Sequence, residues 1–170
     1  MQANQQSAVE TLKEKVKDIK FTMLTTLEAD GNFHTRPMST HDMDPDGTLW
    51  FLTYRDSTKM QEVLQNNHVS LAYSDHGSDT YVAIAGVSKP VNDRQKIRDL
   101  WSDALKAWFP NGPDDPNISL MQVKPVKAEY WDRPGGKMVT LFEMVKAAIT
   151  GQPDQTAQNE KLDNLPGKFE

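Results

Sequence analysis

A mainly β chain, with six antiparallel strands wrapped into a closed or nearly closed barrel and helices packed outside it, is the fold class this sequence predicts. Three observations carry that expectation. Apolar, β-branched and aromatic runs recur at strand length between clusters of Gly, Pro, Asn and Asp. Few connections are long enough for a helical crossover, so successive strands run antiparallel. No Gly-x-Gly-x-x-Gly opens a helix after a strand and no Walker-type loop occurs, which sets aside Rossmann and P-loop architectures.

Taken in order, residues 5–19 carry Val9, Leu12, Val16 and Ile19 at helical spacing among Lys and Glu, an amphipathic helix for the surface of the barrel. Residues 21–28 alternate around Phe21, Met23, Thr25 and Leu27. The cluster Ala29-Asp30-Gly31-Asn32 then turns the chain back as residues 33–41, a hairpin. Pro37 inside the second strand calls for a free edge or a bulge, because proline cannot donate to a ladder. After a turn at 43–47, residues 49–54 form a buried strand. A helix follows, with Met60, Val63 and Leu64 on its apolar side, and then a strand at 69–73.

Residues 80–91 form a long strand with Gly86 where a small barrel bends or admits another backbone. From 93 to 109, Ile97, Leu100, Trp101, Ala104, Leu105 and Trp108 mark one helical stripe, ended by the Pro- and Gly-rich residues 110–116. A short extended piece at 119–123, a sixth strand at 126–132 and a last helix near 137–149 complete the domain, residues 1–151. Residues 152–170 are polar and short of core formers and read as a flexible tail.

The 170 residues suffice for one well-cored domain. A net charge of −5 and no Lys/Arg run argue against nucleic acid and anionic membrane as partners. Cysteine is absent, which excludes thiol nucleophiles, disulfides and cysteine-ligated metals, so redox chemistry here needs a borrowed cofactor. Without a signal-like or membrane-spanning apolar run, a cytoplasmic location is the default expectation.

The stretch with most chemical potential is Arg55-Asp-Ser-Thr-Lys59, where a strand stops and a helix starts. Free amides at a helix N-terminus, the hydroxyls of Ser57 and Thr58 and the Lys59 ammonium can converge on one anion, most plainly a phosphate. The plainer alternative is that Asp56, Ser57 or Thr58 caps the helix, with Thr58 and Gln61 at capping-box spacing and Lys59 in solvent.

Five motifs in order bear on that choice: Thr35-Arg-Pro-Met38, Leu49-Trp-Phe-Leu-Thr53, Ser57-Thr-Lys59, Tyr81-Val-Ala-Ile-Ala-Gly86 and Glu129-Tyr-Trp-Asp132, with a Trp-Phe-Pro-x-Gly turn at Trp108 to Gly112. Over roughly residues 8–151 the chain resembles the FMN-binding split barrels related to pyridoxamine 5′-phosphate oxidase, and more closely their bacterial general stress proteins. The resemblance implies a homodimer with FMN, or FAD in its place, at the interface between the chains. By the same likeness Arg36, Ser57, Thr58 and Lys59 meet the phosphate, and Pro37, Met38 and Ser39 run along the isoalloxazine ring. Leu52 and Thr53 belong to the strand passing the flavin, Tyr81 stands where the oxidase has a glutamine, and Trp131 matches a tryptophan given by the partner subunit.

The chain departs from the oxidase in having Thr58-Lys59 for Arg-Lys, and it lacks the late Arg and His cluster that receives pyridoxamine phosphate. FMN binding therefore carries over better than that oxidation. The resemblance leaves the catalytic residues and the small-molecule substrate unnamed. Its functional readings are a flavin-dependent oxidoreductase, a non-catalytic flavin store or sensor, and a barrel for another ligand such as heme or a deazaflavin.

The four histidines show no metal spacing, so no metal site is expected. Ser39, His41 and Asp42 suggest a triad, but strand neighbours point to opposite faces. The pairs Asp44/Asp46 and Asp114/Asp115 read as solvated turns, and Trp50 and Trp101 as core.

Overall fold

A computed structural model of the chain describes residues 2–132 and 158–162, with side chains from Ala8 to Asp132. The hairpin is present: β1 (Phe21–Leu27) pairs antiparallel with β2 (Phe33–Ser39), and Gly31 takes a φ of +88° in the turn between them. The chain continues through β3 (Asp42–Met43), β4 (Leu49–Tyr54), α2 (Thr58–Gln65), β5 (His68–Asp75) and β6 (Thr80–Val91). It then passes α3 (Arg94–Asp99) and a 3-10 helix (Asp103–Ala107) before β7 (Ile118–Asp132) and β8 (Gln158–Leu162), while α1 (Gln2–Val16) precedes them all.

One antiparallel sheet runs β2-β1-β5-β6-β7-β4-β3, with β8 also on β7. The six expected strands are there, and β3 and β8 raise the count among the described residues to eight. Both additions are short and hard to read: β3 has two residues, and β8 is a polar segment inside the stretch expected to be a tail. The expected helix at 137–149 lies outside the described residues.

The sheet closes through one corner. The Thr40 amide donates to the Lys20 carbonyl, on the β1 side, at 3.1 Å, and the next amide, His41, donates to the Trp50 carbonyl of β4 at 3.1 Å. The chain thus steps from one sheet edge to the other within two residues. Among the described residues β2 pairs only with β1 before that corner, which leaves the edge bearing Pro37 free of them, as proline requires, and a seam opens between β2 and β4. This is a split barrel.

Alternation fills the barrel. Leu24, Leu71, Ile84, Val82, Ala128, Leu49 and Phe51 point inward, and Ala8, Val9, Leu12 and Val16 of α1 cover them at i, i+3/i+4 spacing. A second core outside β4 and β7 joins Trp50, Leu52, Ile97, Leu105, Phe109, Ile118 and Leu120. Trp50 and Trp101 belong to it as expected, whereas Trp108 is 67% exposed.

Two expectations need correction. The single helix over 93–109 is α3 followed by the 3-10 turn, since Asp93 caps the first by accepting the Lys96 amide and Ser102 begins the second. Ser and Asp within an apolar run start a helix more readily than they continue one. The pieces at 119–123 and 126–132 are one strand. Its Pro125 falls between the segment paired with β4, which ends at Val123, and the segment paired with β8, which begins at Ala128, so no partner on that side loses a bond.

Gly86 sits where the β6–β7 register shifts, opposite Pro125. A Cβ there would stand 2.9 Å from both the Lys124 carbonyl oxygen and Val123 Cγ1, too close to a backbone atom for side-chain relief. Gly86→Ala is expected to cost about 1–3 kcal/mol by overpacking. The cost should be read as a lower urea midpoint at unchanged slope, and an unaltered midpoint would contradict the close approach.

Candidate functional site

The seam holds a cleft of about 500 Å³. One wall is Pro37, Met38 and Ser39 of β2 with Phe21. The other is Leu52, Thr53 and Tyr54 of β4 with Leu105 and Phe109 of the second core and the exposed Trp108, and Lys59 of α2 stands at its polar end. The apolar wall follows from the fold, because Leu52 and Tyr54 face outward into the second core while Phe51 and Thr53 face the barrel.

At the polar end Lys59 Nζ donates to Thr53 Oγ1 at 3.1 Å, and that hydroxyl lies 3.2 Å from Ser57 Oγ. Ser57 is the N-cap of α2 by backbone position, yet its side chain makes no capping bond. The capping alternative therefore does not describe the Ser57 hydroxyl, which turns to Thr53. Burial, and then the neighbouring Arg36 charge, hold the Lys59 ammonium below the usual lysine range, with Glu62 opposing. A half-buried cation disfavoured in this way gains from an incoming anion.

Arg36 reaches this corner from the inner face of β2. Its Nη1 donates to Thr26 Oγ1 at 2.6 Å and its Nη2 to Glu62 Oε2 at 2.7 Å. Glu62 lies one helical turn beyond Lys59 and is only 5% exposed. It also accepts from Thr26 Oγ1 at 2.5 Å, and its Oε1 stands 3.1 Å from His34 Nδ1. Burial pushes the Glu62 carboxyl up, but the bonds from Thr26, His34 and Arg36 outweigh it and hold the group below the usual range.

The expected site residues divide accordingly. Pro37, Met38, Ser39, Leu52, Thr53 and Lys59 share the cleft, and Ser57 lies behind Thr53. Arg36 is close enough to Lys59 to lower its pKa, although its two named bonds go to Thr26 and Glu62. Thr58 is exposed at the start of α2. Tyr81 and Trp131 are cross-strand partners on β6 and β7, away from the cleft of their own chain, and Tyr81 is edge-on to His76 at 6.1 Å.

These last two stand on an unusual surface. Register places Pro37, Met23, Ala72, Ala83 and Glu129 in one outward row, and Thr35, Thr25, Ser70, Ala85 and Lys127 in the next. Ser39 with Phe21, and Ser74 with Tyr81 and Trp131, lie on the same face. In these rows charge comes only at the β7 end, while Phe21 is 56% and Met23 42% exposed.

Sequence reasoning missed Glu62, Thr26 and His34 behind Arg36, and His41, Phe21 and Trp108 at the cleft. The α2 stripe read as Met60, Val63 and Leu64 buries Glu62 instead of Leu64, which is 72% exposed. The signal that could have pointed there is an arginine expected on an inward strand face, which requires a buried acid within reach.

Glu28, His34 and Glu62 also bring ligand-type atoms within 4.8 Å of one another, a gathering that histidine spacing did not suggest. Ser39, His41 and Asp42 form no triad. Burial keeps His41 below its ordinary pKa, while the Asp42 carboxylate accepts from the Met43 amide and pairs with Lys96. The acidic turns are less solvated than expected: Asp44 accepts from Trp50 Nε1 at 2.6 Å, and Asp115 is 6% exposed.

No helix among the described residues is long and apolar enough to cross a membrane. Comparison with known proteins matches residues 7–154 to the family described as pyridoxamine 5′-phosphate oxidase like. General stress protein 26 of Bacillus subtilis is 34% identical over 123 residues, covering 67% of this chain and 84% of that protein. Protein bli-3 of Neurospora crassa is 27% identical over 169 residues, covering 89% of this chain and 80% of that one.

A crystal structure of a putative general stress protein 26 from Jannaschia superposes with a TM-score of 0.70 at 24% identity, covering 95% of this chain and 97% of that one, a likeness of fold. The general stress FMN/FAD binding protein of Xanthomonas citri gives a TM-score of 0.61 at 26% identity, covering 81% of this chain and 94% of that one. With the split barrel, the seam cleft and the match across most of its length, this chain belongs to the pyridoxamine 5′-phosphate oxidase like family, beside general stress protein 26.

Proposed function

We propose that the chain is a flavin-binding protein which holds FMN in the seam cleft as a homodimer and passes electrons between the flavin and a small molecule. The observation that carries this is the meeting, in one cleft, of an apolar wall with a half-buried cation and a helix start free of a side-chain cap. Its volume lies within the range of small-molecule sites, about 300–1,000 Å³. The phosphate suits Lys59, Ser57 and the first amides of α2, with Arg36 adding charge. The free edge of β2 at Pro37–Ser39 offers backbone groups to the ring's polar rim, against Leu52 and Thr53. The overall charge of −5 does not attract an anion, so this local pair of cations must.

The uncharged outer rows of β2, β1, β5 and β6 support the second copy, because a sheet face with so little charge is better covered than solvated. Docked there, the other chain's Tyr81 and Trp131 reach a cleft that their own chain cannot supply. The Xanthomonas citri relative is described as FMN/FAD binding, which favours a flavin over other ligands. When bound, the flavin supplies the redox chemistry, and this chain's residues bind and orient it and exclude water from the apolar wall.

The test of the redox role is spectroscopic. Protein loaded with FMN should bleach with NADH or NADPH under nitrogen and recover its colour in air. A bound flavin that neither reductant reaches would contradict electron transfer and indicate storage.

A further inference from the structure

Glu62 is a negative charge inside a corner proposed to take a phosphate, and simple Coulomb reasoning says it should weaken that binding. Its surroundings say otherwise. The carboxylate is 5% exposed, and it ties three elements together: α2, which carries it, β1 through Thr26 and β2 through Arg36 and His34. Arg36 is gripped at both terminal nitrogens, by Glu62 and by Thr26, so its guanidinium has one orientation before any ligand arrives. Those bonds leave other N–H groups of its five free to donate.

Glu62 also follows Lys59 by three residues on the same helix, so the pair with Arg36 fixes the helix start against the strand that carries the other cation. Building on the flavin reading above, we propose that Glu62 is a positioning residue for the flavin phosphate: acting through Arg36, it tightens the binding of an anion it would by charge alone repel.

The sign of the effect decides the matter. An arginine released from its partners loses its preorganisation, and the rotamer freedom of its side chain corresponds to about tenfold to thirtyfold in affinity. Glu62→Gln, which keeps size and an acceptor but removes the charge, should weaken FMN by about that factor and leave riboflavin, which lacks the phosphate, unchanged. Thr26→Val should act the same way while Thr26→Ser retains wild-type affinity, so the inference stays testable if one variant folds poorly, as melting temperatures will show. In the Arg36→Ala background, Glu62→Gln should add nothing further, since it works through that arginine.

FMN bound by Glu62→Gln as tightly as by wild type, or more tightly, overturns the proposal, and so does an equal loss of FMN and riboflavin. Wild-type protein that takes up no flavin at all fails at the earlier step and removes the flavin reading along with the proposal. Uptake by wild type with an unmoved Glu62→Gln removes the proposal alone.

Discussion

The double variant Arg36→Ala/Lys59→Ala is expected to lose FMN affinity by about a hundredfold to ten-thousandfold while binding riboflavin nearly as wild type does. Each charge-assisted hydrogen bond to the phosphate is worth about 1.5–3 kcal/mol, and each 1.4 kcal/mol is tenfold in affinity. Lys59 has the more direct claim, since it lines the cleft and its burial leaves the ammonium short of solvent. Arg36 is set slightly back and already donates to Glu62 and Thr26, so its single replacement should cost less than that of Lys59. Fluorescence titration of FMN and riboflavin measures both ratios, and an equal loss of the two ligands would place the phosphate elsewhere.

Glu62→Ala should be the most destabilising change in the site, by about 3–5 kcal/mol, because it leaves the Arg36 guanidinium buried without its counter-charge. That is a large share of a typical stability of about 5–15 kcal/mol. Combining it with Arg36→Met should recover much of the loss, since an ion pair removed as a unit leaves no orphan. Strictly additive losses in a denaturant cycle would show that the pair is not coupled.

Acid should reproduce the effect in the wild type. The folded-state pKa of Glu62 is lowered, so its contribution is fully present above the unfolded value near 4.5 and is lost as pH falls through the folded one. The stability gap between wild type and Glu62→Gln should therefore shrink on acidification below that value. A gap that widens would carry the wrong sign.

The barrel was legible because alternation and turn chemistry act locally. Phe21, Met23 and Thr25 face one way in β1 as their spacing demands, and Gly86 marks a real close approach. What local pattern could not show was pairing at a distance. β8 is strand only because β7 offers it an edge, and the stripe from Ile97 to Leu105 reaches the second core as expected but through two short elements, not one helix.

The site followed the same division. Residues 37–39, 52, 53 and 59 converge because strand ends and helix starts bring them together, and motif order tracks that geometry. Glu62 escaped notice because a buried acid on a short helix looks like a solvated one until the arginine facing it is known. Tyr81 and Trp131 stand on an outer face, away from the cleft of their own chain, which motif order along one sequence does not reveal.

Sedimentation of the flavin-free protein with added FMN, followed at the flavin's visible absorbance, tests the central claim most directly. The account predicts that the colour sediments with a species of twice the 19.2 kDa chain mass, one flavin per chain. Colour that stays with free FMN, or that moves with a single chain, would contradict it.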